Sequence, residues 1–225
     1  MAGRLHIAPI DLRALLPDLA EDAPLVRSPN LAPRRMLSAI RLEAGTPRLG
    51  RLFWGLTPPW LKVLDHAPHC ARAESLAERP MFREAFHARR CLVPATGVYA
   101  WKPQPRFKQP FLVTRVDRGP LLLAALWCRF HTSLAEHTDS LALITVPTSP
   151  LLAPLTDRLP AVIPAAAAAQ RWLDPQTSAE EAMALLTPAP RELLGAFPVS
   201  RRVNHPANQD AACAHPVGPM LRHDA

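Results

Sequence analysis

The 225-residue chain has no run of 18 or more apolar residues, so no membrane-spanning helix is expected. Its start, Met1-Ala2-Gly3-Arg4-Leu5-His6, lacks the charged-then-apolar order of a secretory signal, and a cytoplasmic location is expected. Cysteine is sparse: Cys70, Cys91, Cys128 and Cys213 are far apart and form no C-x-x-C pair. In a cytosolic chain such cysteines read as reduced thiols rather than a disulfide framework. Histidines lie near three of them (His66 and His69 by Cys70, His131 by Cys128, His215 by Cys213). None of these groupings supplies four ligands at the tight paired spacings of structural zinc, so no metal and no other cofactor is expected. Internal repeats are absent. Lysine is nearly so, occurring only at Lys62, Lys102 and Lys108.

The positive charge is therefore carried almost entirely by arginine. With 26 basic against 19 acidic residues, the formal net charge is +7. The planar guanidinium fork can donate two hydrogen bonds to one phosphate, so nucleic acid is one explanation of this balance. The other is composition alone, because the chain is also rich in Ala, Pro and Leu, as a GC-rich genome would produce.

Hydrophobic residues make up 48% of the chain, enough for a sizeable core. The 27 prolines are spread throughout and favour short strands and turns over long helices. Helices are expected at Asp11–Leu19, Pro80–Arg89, Pro164–Leu173 and Ser178–Leu186. The second and third are opened by proline, and the last is capped by Ser178 with Glu181 three residues on. Strands are expected at Leu92–Val93, Phe111–Val116, Leu121–Leu126, Leu141–Val146 and Ala161–Ile163. This mixture predicts an α+β fold: one domain over residues 1–217, a mainly antiparallel sheet or partly open barrel flanked by short helices, then a flexible tail over 218–225.

Several segments occur in a telling order. Asn30-Leu31-Ala32-Pro33 is followed by Trp54-Gly55-Leu56-Thr57-Pro58-Pro59-Trp60, by Cys70-Ala71-Arg72-Ala73-Glu74, and by Met81-Phe82-Arg83. Then come Arg89-Arg90-Cys91-Leu92-Val93-Pro94-Ala95-Thr96-Gly97-Val98-Tyr99-Ala100-Trp101-Lys102, Thr156-Asp157-Arg158-Leu159-Pro160, and Pro198-Val199-Ser200-Arg201-Arg202-Val203-Asn204. The series resembles the SOS response-associated peptidase (SRAP) family of abasic-site DNA-binding proteins, whose longest block usually runs R-R-C-L-V-P-A-D-G-F-Y-E-W. The start resembles the family's M-C-G-R.

The resemblance implies a chemistry and a set of residues for it. Family members lose the initiator methionine and expose a cysteine. Its amine attacks the aldehyde of an abasic site and its thiol closes a thiazolidine ring, with an Asn, a Glu and a His in support. The same site is associated with peptide hydrolysis of a short leader. Here those four positions hold Ala2, Cys70, Ala100 and Thr156. Ala100 cannot transfer a proton and Thr156 cannot replace an imidazole, so the resemblance implies a pseudoenzyme. The DNA-facing positions carry Arg4, Arg72 and Arg158 for phosphates, with Pro33, Met81 and Trp101 shaping the surface beneath an interrupted base stack.

Blander roles compete for some of these residues. Arg72 and Glu74 can form an internal ion pair, and Arg158 can support packing. Trp54 and Trp60 are expected in the core, Cys91 as a buried structural thiol, and Cys70 as a tolerated replacement. The expected function is binding of single-stranded or abasic DNA in the DNA damage response, by a monomer with no membrane partner. The alternatives are a weak abasic-site lyase or imine former through the α-amine of Ala2, and a protein-interaction adaptor.

Overall fold

In the computed structural model, which describes residues 3–21, 23–62, 67–131 and 136–223, the strand Leu121–His131 explains much of the architecture. Its residues alternate between two cores. Leu121, Leu123 and Ala125 enter one cluster, while Leu122, Ala124 and Leu126 enter the other. A run that is apolar at every position, not every second one, is what a strand buried on both faces requires.

The strands are β1 (Leu5–Ile7), β2 (Ala20–Glu21), β3 (Ser28–Leu31), β4 (Met36–Glu43), β5 (Thr46–Trp54), β6 (Cys70–Arg72), β7 (Arg90–Ala95), β8 (Gly97–Pro103), β9 (Lys108–Arg115), β10 (Leu121–His131), β11 (His137–Pro147), β12 (Arg158–Pro160) and β13 (Leu194–Pro198). One sheet has the order β13-β9-β8-β1-β3. The larger one runs β12-β11-β10-β7-β4-β5-β2, with β6 also on β11. Parallel pairing of Ser140 with Phe53 and Leu141 with Trp54 joins β11 to β5. That short contact partly closes the larger sheet into a barrel, and most other pairings are antiparallel. The fold is α+β, as expected.

One core lies between the two sheets, and includes Leu5, Leu37, Trp54, Cys91 and Leu143. The other lies under α1 (Pro80–Ala88), α2 (Ala166–Leu173) and α3 (Ala179–Ala184), where Phe82, Phe86 and Trp172 cover Leu92, Leu122 and Ile144. A third, smaller cluster of Tyr99, Leu112, Phe197, Val199, Val203 and Cys213 sits on the outer face of the smaller sheet. Arg90 is buried and donates to the carbonyls of Phe86, Trp172 and Thr177, tying α1 and α2 to β7.

Local signals set two of the helices. Pro80 opens α1. Ser178 caps α3, accepting from the Glu181 amide at 3.2 Å while the Glu181 carboxylate accepts from the Ser178 amide at 2.9 Å. Helix α2, expected to open at Pro164, instead starts at Ala166, because Ala165 is still extended. The helix expected at Asp11–Leu19 is instead a pair of turns, in which the Leu12 carbonyl accepts from Leu15 and Leu16 and the Leu16 carbonyl from Leu19. Pro17 has no amide to continue a helix and disfavours the helical conformation at Leu16.

The strand expected at Ala161–Ile163 starts earlier, at Arg158, and leaves β11 after Pro160. It then touches β10 through one bridge between Val162 and Leu123. The segment expected as a loose tail is held at Leu221, which exchanges two hydrogen bonds with Ala196 of β13. Gly195 lets it approach, since a Cβ there would lie 2.9 Å from the Leu221 carbonyl oxygen. The segment around Leu221 thus lies beside β13, the edge strand of the smaller sheet. No helix among the described residues is long and apolar enough to cross a membrane.

Candidate nucleic-acid interface

The chain enters β1 beside β8, and the Tyr99 amide donates to the Arg4 carbonyl at 3.0 Å. This places the Arg4 side chain near Trp101, with the guanidinium carbon 5.8 Å from the ring centroid. One guanidinium nitrogen donates at 2.7 Å to both the Asn30 Oδ1 and the Val203 carbonyl. Burial lowers the Arg4 pKa, but an arginine stays protonated near neutral pH. Trp101 is half-buried, and its indole nitrogen donates to Asn204 Oδ1 at 2.8 Å.

These side chains line a cleft of about 430 Å³ together with Tyr99, Ala100, Lys108, Leu155, Thr156, Arg158, Leu159 and Asn204. Five positions singled out in the sequence therefore converge: Arg4, Ala100, Trp101, Thr156 and Arg158. Ala100 is buried on β8 and has no polar atom beyond its backbone. The Thr156 hydroxyl donates to the Arg158 carbonyl at 2.9 Å, so it is already used within its own turn.

Arg158 spends most of its fork inside the protein. It pairs with Glu74 at 2.7 Å and donates to the Thr145 carbonyl at 2.6 Å and to its hydroxyl at 3.2 Å. Glu74 thus goes to Arg158, not to Arg72 as the alternative to a phosphate role for Arg72 had it. The hydrogen bond from Arg158 holds the Glu74 carboxyl below its ordinary pKa. Arg72 is exposed at the end of β6, opposite Thr145 of β11.

Cys70 begins β6 opposite Leu143. It is half-buried, and burial pushes its thiol up to about 12. The reactive form of cysteine is the thiolate, which such a thiol does not supply near neutral pH. Pro33 lies half-buried in the bend between β3 and β4, and Met81 packs from α1 against the helix-covered core. Neither lines the cleft. Trp54 is fully buried, as expected, but Trp60 is 53% exposed rather than in the core. Cys91 is fully buried in β7. Ala2 lies outside the described residues, as do His66 and the last two residues. Among the described residues no group of three or more His, Cys, Asp or Glu is placed to hold a metal ion.

Sequence reasoning passed over three positions at the cleft. Lys108 and Asn204 line the cleft, and Asn30 organises its wall. Asn30 is fully buried, and its carboxamide nitrogen lies 3.3, 3.0 and 2.9 Å from the carbonyl oxygens of Val203, His205 and Asn208. Asn30 and Asn204 each sit in a recognisable motif block, which was the available signal. Lys108 had none.

A partly closed barrel beside a second sheet, with arginines and a tryptophan around one cleft, defines a class, and residues 1–206 match the SOS response associated peptidase (SRAP) family. The chain belongs to that family. It is 31% identical over 183 residues to the abasic site processing protein YoqW of Bacillus subtilis (strain 168), covering 80% of this chain and 81% of that one. To the abasic site processing protein YedK of Escherichia coli (strain K12) it is 28% identical over 213 residues, covering 92% and 94%. A solved protein from Bacteroides thetaiotaomicron superposes with a TM-score of 0.81 at 21% identity, covering 95% of this chain and 98% of that one, a likeness of fold.

Proposed function

We propose that this protein binds single-stranded DNA, including DNA with abasic sites, in the cytoplasmic response to DNA damage, as a monomer that forms no stable cross-link. The observation that carries the reading is the makeup of the cleft. Arg4 and Trp101 meet there in a fixed network, while the positions of the family's proton-transferring groups are Ala100 and Thr156. A cation beside a flat aromatic ring suits a phosphate and an unstacked base. An aliphatic floor and a hydroxyl already donated to a carbonyl suit no general acid–base step. Names of relatives such as YoqW and YedK, abasic site processing proteins, support abasic DNA as the ligand class.

The reading is tested by measuring affinity for single-stranded oligonucleotides with and without an abasic site, then resolving the mixtures on a denaturing gel. Binding in solution without a heat-stable adduct is the expected result. No binding, or an adduct that survives heating, overturns it.

A further inference from the structure

Between Glu84 and Asp117 the chain has no acidic residue, and the β8–β9 hairpin lies within that interval. Two of the chain's three lysines, Lys102 and Lys108, flank the hairpin's tip, together with Arg106. The tip is closed by a hydrogen bond from the Gln104 amide to the Phe107 carbonyl at 2.8 Å, which holds Phe107 at the turn. Phe107 is 44% exposed, and the guanidinium carbon of Arg201 lies 5.1 Å from its ring centroid.

A single exposed phenylalanine needs no explanation. Its surroundings do. Among the described residues none of Lys102, Arg106, Lys108 and Arg201 has an ion-pair partner, whereas Arg202, next to Arg201, is paired with Asp210, and Arg115, at the other end of β9, with Asp117. The patch is also continuous with the cleft along two elements. Lys108, next to Phe107, lines the cleft, and so does Asn204, which shares a 3-10 turn with Arg201. If the arginine served only to pin the hairpin, burial of the ring would strengthen its hold, yet the ring stays open to solvent.

We propose that Phe107, with Arg201 beside it and Lys102 and Arg106 at the same end of the hairpin, is a stacking subsite for a base of single-stranded DNA outside the cleft, on a strand that leaves the cleft past Lys108. The inference rests on the reading of the cleft as a DNA site and extends the bound strand beyond it. An unstacked base offers a π face to the ring, and the flanking phosphates meet cations that no carboxylate neutralises.

Fluorescence anisotropy with oligonucleotides of about 4 and about 16 nucleotides, the ends of the usual single-strand site range, separates the subsite from the cleft. Phe107→Ala should weaken binding of the longer strand about 5-fold or more, the loss expected for one stacked base, and leave the shorter one unchanged. Phe107→Trp should restore it. The Lys102→Ala/Arg106→Ala double variant should flatten the salt dependence by roughly 0.7 in slope for each phosphate no longer neutralised. Arg4→Ala should weaken both strands.

Wild-type affinity and slope in the Phe107 and Lys102/Arg106 variants, in a protein that binds both strands, would overturn this subsite alone. A wild-type protein that binds neither strand would overturn the cleft reading and the subsite with it. Loss confined to phosphatidylserine vesicles would also overturn it, assigning the patch to a lipid surface. Because Phe107 is exposed, a thermal melt unchanged from wild type is the expected control.

Discussion

Asn30 accepts a 2.7 Å hydrogen bond from Arg4 and, from its other end, holds the carbonyls of Val203, His205 and Asn208. One buried side chain thereby sets both the cation of the cleft and the loop that brings Asn204 to Trp101. Asn30→Ala removes the acceptor of the Arg4 guanidinium and takes one donor from each of three carbonyls that keep others, from Arg4, the Asn208 amide and the Cys213 thiol. Loss of the hydrogen bond to the charged group costs about 1.5–3 kcal/mol. The urea midpoint should fall by the equivalent amount. DNA affinity should fall further than the stability loss explains, measured at a temperature where the variant remains folded.

Arg4, Arg72 and Arg158 should separate in their effects. Arg72 is exposed, so Arg72→Ala should change stability by no more than about 0.5 kcal/mol while lowering DNA affinity and salt dependence. Arg158→Ala removes the donors to Glu74 and Thr145 and should lower stability as well. The triple variant should bind single-stranded DNA most weakly, with a slope flatter by roughly 0.7 for each phosphate no longer neutralised. Filter binding across a salt series, beside urea unfolding of each variant, measures both effects. A triple variant with wild-type affinity and slope would show that the DNA face lies elsewhere.

Residual chemistry at an abasic site should be slow and reversible. An unperturbed α-amine titrates at about 7.7–8.0, so part of it is neutral near pH 7.5. If removal of Met1 exposes the amine of Ala2, that amine can form an imine with the open-chain aldehyde, which has no thiol on Ala2 to trap it. Loss of a general acid or base typically costs about 10²–10⁴-fold, consistent with Ala100 and Thr156. Borohydride should convert the imine to a permanent adduct in protein whose mass shows Ala2 at the terminus. Protein retaining Met1 should behave differently, and absence of any adduct would leave binding as the sole activity.

Asp139 should govern part of the acid stability. Burial alone would raise its carboxyl, but hydrogen bonds from Arg129 and Arg41 outweigh burial and hold it at about 2. The folded pKa lies below the unfolded one, so the stabilisation is present above about pH 4 and is lost as pH falls toward 2. The linkage is worth on the order of 2 kcal/mol. Asp139→Asn should flatten stability against pH across that window, read from urea midpoints at closely spaced pH values. An acid limb unchanged from wild type would assign the dependence to other carboxylates.

Where chemistry is local, the sequence was sufficient. Proline at the start of α1 and the Ser178–Glu181 capping box act within one helical turn, and α1 and α3 lie where those residues predict. The run Leu121–Leu126 reads as a strand by itself, because apolar residues at every position suit burial on both faces. The order of the motif blocks was enough to indicate the family, and five positions that the resemblance singled out, Arg4, Ala100, Trp101, Thr156 and Arg158, line one cleft.

Other features depend on partners distant in the chain. Strands β1, β4 and β5 escaped the sequence reading because their pairing, not their propensity, makes them strands: Leu5 needs Val98 and Leu31, and Ile40 needs Leu49 and Leu92. The choice of Arg158 over Arg72 as the partner of Glu74 is a matter of how β12 lies against β11, beside β6. Exposure of Trp60 and the hold of Leu221 on β13 are likewise decided by what the fold leaves uncovered. Composition and motif order determined the kind of protein and the residue types at its site. Tertiary structure alone decided which arginine faces solvent and which is consumed inside, because that depends on contacts between residues far apart in the chain.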